Sequence, residues 1–203
     1  ICETFGFTGE ALIALEVAQE TGLPTVVTMA QHASERTRDG EAIETACQRL
    51  ADAGADVVGL NCARGPWTML PLLERIRAEV PGHLAALPVP YRTAAAEPAF
   101  QTLSDPDCPC PAPHGRPFPT ALDALACTRY EMAEFARRAH ELGVGYIGIC
   151  CGAAPHHVRA MAEALGRTTA ASRFSPDMSK HYALGDDDTL KAKNQRFAAT
   201  YSA

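Results

Sequence analysis

The chain has 203 residues, 47% hydrophobic and 21% charged, a balance that supports a full core and excludes general disorder. Its formal charge of −6 and pI near 5.6 leave no basic footprint for nucleic acid, and no apolar run approaches the ~18 residues of a membrane span. Eight cysteines fall below the density of a disulfide scaffold, and no basic-then-apolar leader opens the chain, so we expect a cytoplasmic protein that binds neither nucleic acid nor membrane.

Ile1-Cys2-Glu3-Thr4-Phe5 begins without methionine and reads as the last residues of a strand whose start is absent, which predicts an N-terminally truncated sequence. Helical spacing follows over 10–21, then a short apolar strand over 24–29. The same alternation repeats as helix 40–53, strand 56–61, helix 68–79 and strand 83–89. Residues 94–121 form a long proline-rich irregular stretch containing Cys108, Cys110 and His114. That trio could hold a second metal, but its spacing is not a common zinc pattern. Helix 129–142 places Met132, Phe135, Ala136, Ala139 and Leu142 on one face, and strand 146–150 follows. His156 and His157 open the next helix, where we expect them to be structural or to sit at a rim. Residues 167–203 start irregular and turn helical from Asp187 to Tyr201, an extension of the kind that packs on a neighbouring subunit and predicts a homo-oligomer.

Gly22, Gly54 and Gly143 follow three of the helices as left-handed stops. Repeated strand-helix units build a parallel sheet, with each strand expected to be buried on both faces. An open doubly wound sheet usually carries a glycine-rich dinucleotide turn after a strand, and none is present. The closed eight-stranded α/β barrel (TIM barrel) is therefore favoured. Such a barrel takes about 250 residues, and four strands plus the end of a fifth suggest that its C-terminal half to two-thirds is here.

Cys62 follows strand 56–61, and Cys150-Cys151 end strand 146–150 between Gly148 and Gly152. Active sites of such barrels lie at the C-terminal strand ends, where Glu3, Thr28, Asn61 and Tyr91 also fall. Three thiols without an obvious fourth ligand suggest a zinc site with an open position. Cysteines in apolar strands are commonly small core residues, the reading preferred for Cys2 and Cys47. A vicinal disulfide at Cys150-Cys151 needs a strained ring and an oxidising compartment. Spacing alone leaves the metal and core readings of the three thiols open.

Glu3-Thr4-Phe5, Gly59-Leu60-Asn61-Cys62, and Tyr146-Ile147-Gly148-Ile149-Cys150-Cys151-Gly152 running into Pro155-His156-His157 resemble the homocysteine S-methyltransferase family across nearly the whole chain. Leu87-Pro88-Val89-Pro90-Tyr91-Arg92-Thr93 and the tail at Asp177-Met178-Ser179 are most similar to its betaine-using members. The resemblance implies a zinc-dependent thiol methyltransferase with Cys62, Cys150 and Cys151 as ligands, acting on homocysteine and a small onium methyl donor. It implies that Glu3 holds the amino acid part of homocysteine, with Asn61 and Thr4 in the same pocket. Thr4 stands where the betaine-using members carry tyrosine. Quaternary ammonium groups are held by aromatic faces, and Phe5, Tyr91 and Trp67 are the candidates by position. Betaine, a sulfonium such as S-methylmethionine or dimethylsulfonioacetate, and a methylated corrinoid or folate all stay open as donors. The family's first strand is not in this sequence, so weak or no catalysis is expected of the chain alone.

The resemblance divides the chain into the barrel part, 1–166, and the extension, 167–203. Two other readings compete: a non-catalytic or redox-active zinc and thiol protein whose site Cys108 or Cys110 closes, and a half-barrel that requires a second chain.

Overall fold

A computed structural model describes residues 1–105 and 117–174, and beyond these residues 179, 181, 187–189, 191, 192 and 196. Cys108, Cys110, His114, Asp177, Met178 and most of the expected C-terminal helix lie outside the described residues. The chain forms two compact units, Ile1–Arg167 and Thr168–Ala203. In the second, a short turn of 3₁₀ helix spans Ala170–Phe174.

The first unit alternates β1 (Cys2–Phe5), α1 (Thr8–Gln19), β2 (Val26–Met29), α2 (Ile43–Asp52), β3 (Val57–Asn61), α3 (Pro66–Glu79), β4 (His83–Leu87), α4 (Arg129–Glu141), β5 (Val144–Ile147) and α5 (Pro155–Ala164). The strands make one parallel sheet in the order β1-β2-β3-β4-β5. Among the described residues no strand order reverses, so these five strands hold no switch point of the doubly wound kind. Consecutive helices pack on one another.

Strand alternation assigns the two faces. Val27, Met29, Val58, Leu60, Leu84, Ala86 and Val144 are buried with Leu15, Ile43, Leu50, Leu73, Ile76 and Phe135 of the helices in the main core. Each large side chain buried this way contributes about 1.5–3 kcal/mol. The opposite face carries the register row Thr28, Gly59, Ala85 and Tyr146, which is small or polar. Beyond the strand ends a second cluster gathers Cys62, Val89, Phe100, Leu103 and Leu122, with Tyr91 and Cys150 packed against it.

Several boundaries differ from the sequence pattern for definable reasons. α2 begins at Ile43 because Gly40, at φ 91°, closes a turn bridged by Arg36 and Ala42. α3 begins at Pro66, whose missing N–H costs nothing in the first helical turn. β4 ends at Leu87 because Pro88 and Pro90 have no N–H to offer a ladder. β5 ends at Ile147 for the same reason: Gly148 N–H still reaches Ala86 O (3.0 Å) and Cys150 N–H reaches Pro88 O (2.8 Å), but no donor answers from Pro88. Cys150 thus stands three residues beyond its strand rather than at its end. Burial on both faces holds for β2, β3 and β4 at most positions, whereas the edge strands leave Glu3, Thr4, Gly145 and Tyr146 exposed. The three expected glycine stops are present, at φ 68°, 95° and 80° for Gly22, Gly54 and Gly143. Among the described residues no helix is long and apolar enough to cross a membrane.

Candidate metal centre

Three non-glycine residues among those described have positive φ, and all lie at strand ends: Thr4 (73°), Cys62 (58°) and Ala63 (57°). Left-handed backbone costs a residue with a Cβ about 1–2 kcal/mol, so such a conformation persists only where the surroundings impose it. Around Cys62 they do. Its N–H donates to Leu87 O (2.9 Å), Arg64 N–H closes a tight turn onto Cys62 O (2.7 Å), and Phe100 N–H donates to Ala63 O (2.8 Å). The buried Arg64 guanidinium then binds the carbonyls of Gln31 (3.2 Å), Ala33 (3.2 Å) and Thr68 (3.3 Å). This tie between the β3 turn and the β2–α2 loop had no sequence signal beyond an arginine two residues after Cys62.

The second half of the centre comes from the chain after β5. Gly152 adopts φ 88°, and a Cβ there would stand 2.5 Å from Tyr91 Oη, so glycine is required both by the backbone and by the approach of Tyr91. Between them the two turns bring the sulfurs together: Cys62 Sγ is 3.6 Å from Cys151 Sγ, Cys150 Sγ is 3.9 Å from Cys151 Sγ, and all three lie within 4.8 Å of one another. A Zn–S bond of about 2.3 Å in a tetrahedron sets sulfur edges of about 3.8 Å. The donor set and its spacing therefore fit zinc. The six cysteines of the described residues are unpaired, so no vicinal disulfide joins Cys150 and Cys151.

Without a metal the three thiols share charge unequally. Hydrogen bonding from Cys62, ahead of burial, draws Cys150 down to about 6 and pushes Cys62 up, and burial raises Cys151. Cys47 behaves as the expected core residue, pushed up to about 12 by burial within α2. Cys2 packs on the main core, its thiol 4.0 Å from Ala14 O.

Asn61, completely buried, anchors the centre to three strands. Its Oδ1 accepts from Thr4 N–H (2.9 Å) and Thr28 Oγ1 (2.9 Å), while Nδ2 donates to Thr4 Oγ1 (2.6 Å) and makes a long contact with Cys150 Sγ (4.0 Å). Two acceptor positions and two N–H groups are the whole capacity of a side-chain amide. Among the described residues the protein itself engages the Asn61 amide and the Thr4 oxygen, which positions both at the strand ends. Glu3, on the same strand end, is exposed, and its carboxylate has no partner among the described residues.

Of the three aromatic candidates the structure brings one to the sulfurs. Tyr91 packs beside Cys62 and Cys150, its ring stacked on Phe100 at 5.5 Å, and Phe118 meets Phe100 edge-on at 5.2 Å. Burial first, then the charges of Asp123 and Cys151, push the pKa of its hydroxyl up and keep the phenol protonated. Phe5 packs instead on the main core. Trp67 does the same from the start of α3, with the Arg138 guanidinium 5.8 Å from its ring centre. Neither lies in the cluster that holds the cysteines. His157 is buried and structural: Nδ1 accepts from Ala154 N–H (3.2 Å), so Nε2 carries the proton and donates to Cys127 O (3.0 Å).

Residues 1–165 match the family model described as homocysteine S-methyltransferase. The chain is 36% identical over 199 residues to the S-methylmethionine–homocysteine S-methyltransferase of Mus musculus, covering 95% of this chain and 51% of that protein. It is 36% identical over 185 residues to betaine–homocysteine S-methyltransferase 1 of Danio rerio, covering 91% and 44%. The chain thus spans about half the length of these curated relatives. A crystal structure of the Escherichia coli homocysteine methyltransferase in its apo form superposes with a TM-score of 0.54 at 14% identity, covering 80% of this chain and 48% of that one, a likeness of fold.

Proposed function

Because this chain belongs to the homocysteine S-methyltransferase family, we propose that it carries the thiol-activating centre of an enzyme that methylates homocysteine to methionine. Cys62, Cys150 and Cys151 would hold zinc, which when bound acidifies a thiol placed at its open fourth position. The observation that carries this reading is the convergence of the three sulfurs at the edge lengths of a zinc–thiolate tetrahedron.

The chain's own residues divide the remaining work. Asn61 holds Cys150 and the β1 end in register. Glu3, exposed beside Thr4 and without a partner among the described residues, would receive the ammonium of homocysteine. Tyr91 borders the thiols with an aromatic face. The methyl group moves from a cationic onium to the homocysteine sulfur: an S–C bond forms, the onium–C bond breaks, and its electron pair stays on the departing donor, which leaves neutral. Betaine and the sulfonium donors both satisfy that balance.

In this reading the five strands are consecutive staves of an eight-stranded barrel, and residues 167–203 are an extension that supports a homo-oligomer. Support comes from the unreversed strand order and from the outer edges of β1 and β5, which pair with no strand among the described residues. An apolar cavity of about 370 Å³ lies along β5, lined by Tyr146, Ile147, Val158, Met161 and Leu165.

Zinc content and zinc-edge X-ray absorption, with and without homocysteine, test the proposal on protein purified under reducing conditions. We expect three sulfurs per zinc and a fourth when homocysteine is added. Four protein sulfurs indifferent to homocysteine would return the centre to a structural role, and light scattering tests the oligomer.

A further inference from the structure

Beyond the ends of β1 and β2 the thiol chemistry leaves a cationic side chain unused. Arg38, in the β2–α2 loop, donates its backbone N–H to Gly6 O (2.7 Å). Its stem crosses Gly6 so closely that a Cβ there would stand 3.1 Å from Cδ and 3.2 Å from Nε. The guanidinium carbon is 5.8 Å from the centre of the Phe7 ring. The acids of the neighbouring chain are engaged elsewhere: Glu35 and Glu44 with Arg75, Glu41 with Arg49, and Asp39 with Thr37 and the N–H groups of Thr8 and Gly9 at the start of α1. Arg38 has no carboxylate partner among the described residues.

Arg38 borders a cavity of about 200 Å³ with Thr4, Phe7, Glu10, Ala30 and His32. A second recess of about 150 Å³ shares Gly6, Ala30, His32 and Arg38 and extends to Gln31. Glu10, like Arg38, has no ion pair among the described residues. Burial, then the charge of Arg38, against a hydrogen bond with Gln101, lowers the His32 pKa below its ordinary value and so favours the neutral, hydrogen-bonding ring. One guanidinium and one carboxylate facing the same small cavity, with an aromatic ring beside them, match a zwitterion rather than a simple anion.

We propose that this cavity is a head-group subsite for an α-amino acid, with Arg38 taking the carboxylate and Glu10 the ammonium. The inference rests on the methyl-transfer reading above. Thr4 lines the cavity and also bonds Asn61, which contacts Cys150, so the cavity wall is tied to the thiol centre through these two side chains. Glu3 serves the acceptor's ammonium in that reading, which assigns the second head group to the methyl donor. The subsite then favours an amino-acid sulfonium over a trimethylammonium carboxylate, which has no N–H for Glu10.

Calorimetric titration of the full zinc-loaded chain tests this, with S-methylmethionine, betaine and homocysteine titrated separately into wild type, Arg38→Ala, Arg38→Lys and Glu10→Gln. We expect Arg38→Ala and Glu10→Gln each to weaken S-methylmethionine at least tenfold, Arg38→Lys to restore part of the loss, and homocysteine to bind all four alike. Betaine should ignore Glu10→Gln. Weakened homocysteine with unchanged S-methylmethionine would give the subsite to the acceptor and overturn the proposal, as would no S-methylmethionine binding to wild type or no effect of either substitution. Both residues are exposed, and unchanged melting temperatures verify that the variants fold. The sulfur count at the zinc edge separates the two readings: its fourth sulfur does not depend on Arg38, so a centre that fails to gain one defeats the methyl-transfer reading whatever Arg38 binds.

Discussion

Thr4 and Asn61 hold each other through two hydrogen bonds, Thr4 N–H to Asn61 Oδ1 at 2.9 Å and Asn61 Nδ2 to Thr4 Oγ1 at 2.6 Å, across strands that are not sheet neighbours. That exchange keeps Thr4 at φ 73°, and the same amide reaches Cys150. Asn61→Ala would leave the buried Thr28 hydroxyl without its acceptor and Thr4 without restraint. We expect a loss of about 1–3 kcal/mol in stability and about 10–100-fold weaker zinc binding, read by denaturant melts and competition with a chelating dye. Zinc affinity equal to wild type would remove the positioning role.

Replacing Cys62, Cys150 or Cys151 singly with serine should reduce bound zinc from one equivalent to a small fraction, measured by metal analysis after dialysis. Cys2→Ala and Cys47→Ala should retain it, because these thiols pack on the main core. Stripping the metal with a chelator should lower the melting temperature, since binding free energy at such a site adds to folding free energy.

Gly152→Ala combines a left-handed backbone at φ 88° with a collision at Tyr91 Oη. A loss of about 1–3 kcal/mol is expected from backbone strain and overpacking together. Tyr91→Phe removes the colliding oxygen, so the double variant should lose less than the two single variants summed. Tyr91 Cζ and Cε2 would still stand 2.8 and 2.9 Å from that Cβ, so additive losses in thermal melts would mean that the hydroxyl alone contributes nothing.

Acid should weaken the fold through Glu131. Its carboxylate accepts from Arg92 at 2.8 Å twice and from Thr128 in a capping box at the start of α4. The Arg92 interaction, ahead of the other influences, holds its pKa at about 2, below the ordinary 4.5. A depressed folded value means that the contribution is complete above pH 4.5 and lost as pH falls toward 2. Glu131→Gln should cost about 1 kcal/mol at pH 7, the pair being partly solvent-exposed, and should flatten the decline below pH 4.5. Urea midpoints across that range would show an unchanged slope if the pair were inert.

Local pattern alone determined much of this protein. Helical spacing in α2 and α4, apolar runs at β2 to β4 and the glycine stops all depend on neighbours within a few residues, and each is present. The three thiols were legible as a group because turns after parallel strands collect at one end of the sheet. Phe5 shows where parity fails. Strict alternation puts Cys2 and Phe5 on opposite faces, but the irregular register between them, with Thr4 left-handed, sets both against the main core. Trp67 follows the phase of α3, a register set by packing against α4 rather than by its place after Cys62. Pro88 ends β5 from across the sheet, a non-local effect invisible in the β5 residues themselves. The left-handed pair Cys62-Ala63, the saturated amide of Asn61 and the guanidinium of Arg38, without a carboxylate partner among the described residues, likewise arise from contacts between residues far apart in the chain. The sequence therefore determined which chemistry is present and at which end of the sheet. The tertiary structure decided which side chains meet there, because hydrogen-bond partners and backbone strain are properties of the assembled strand ends.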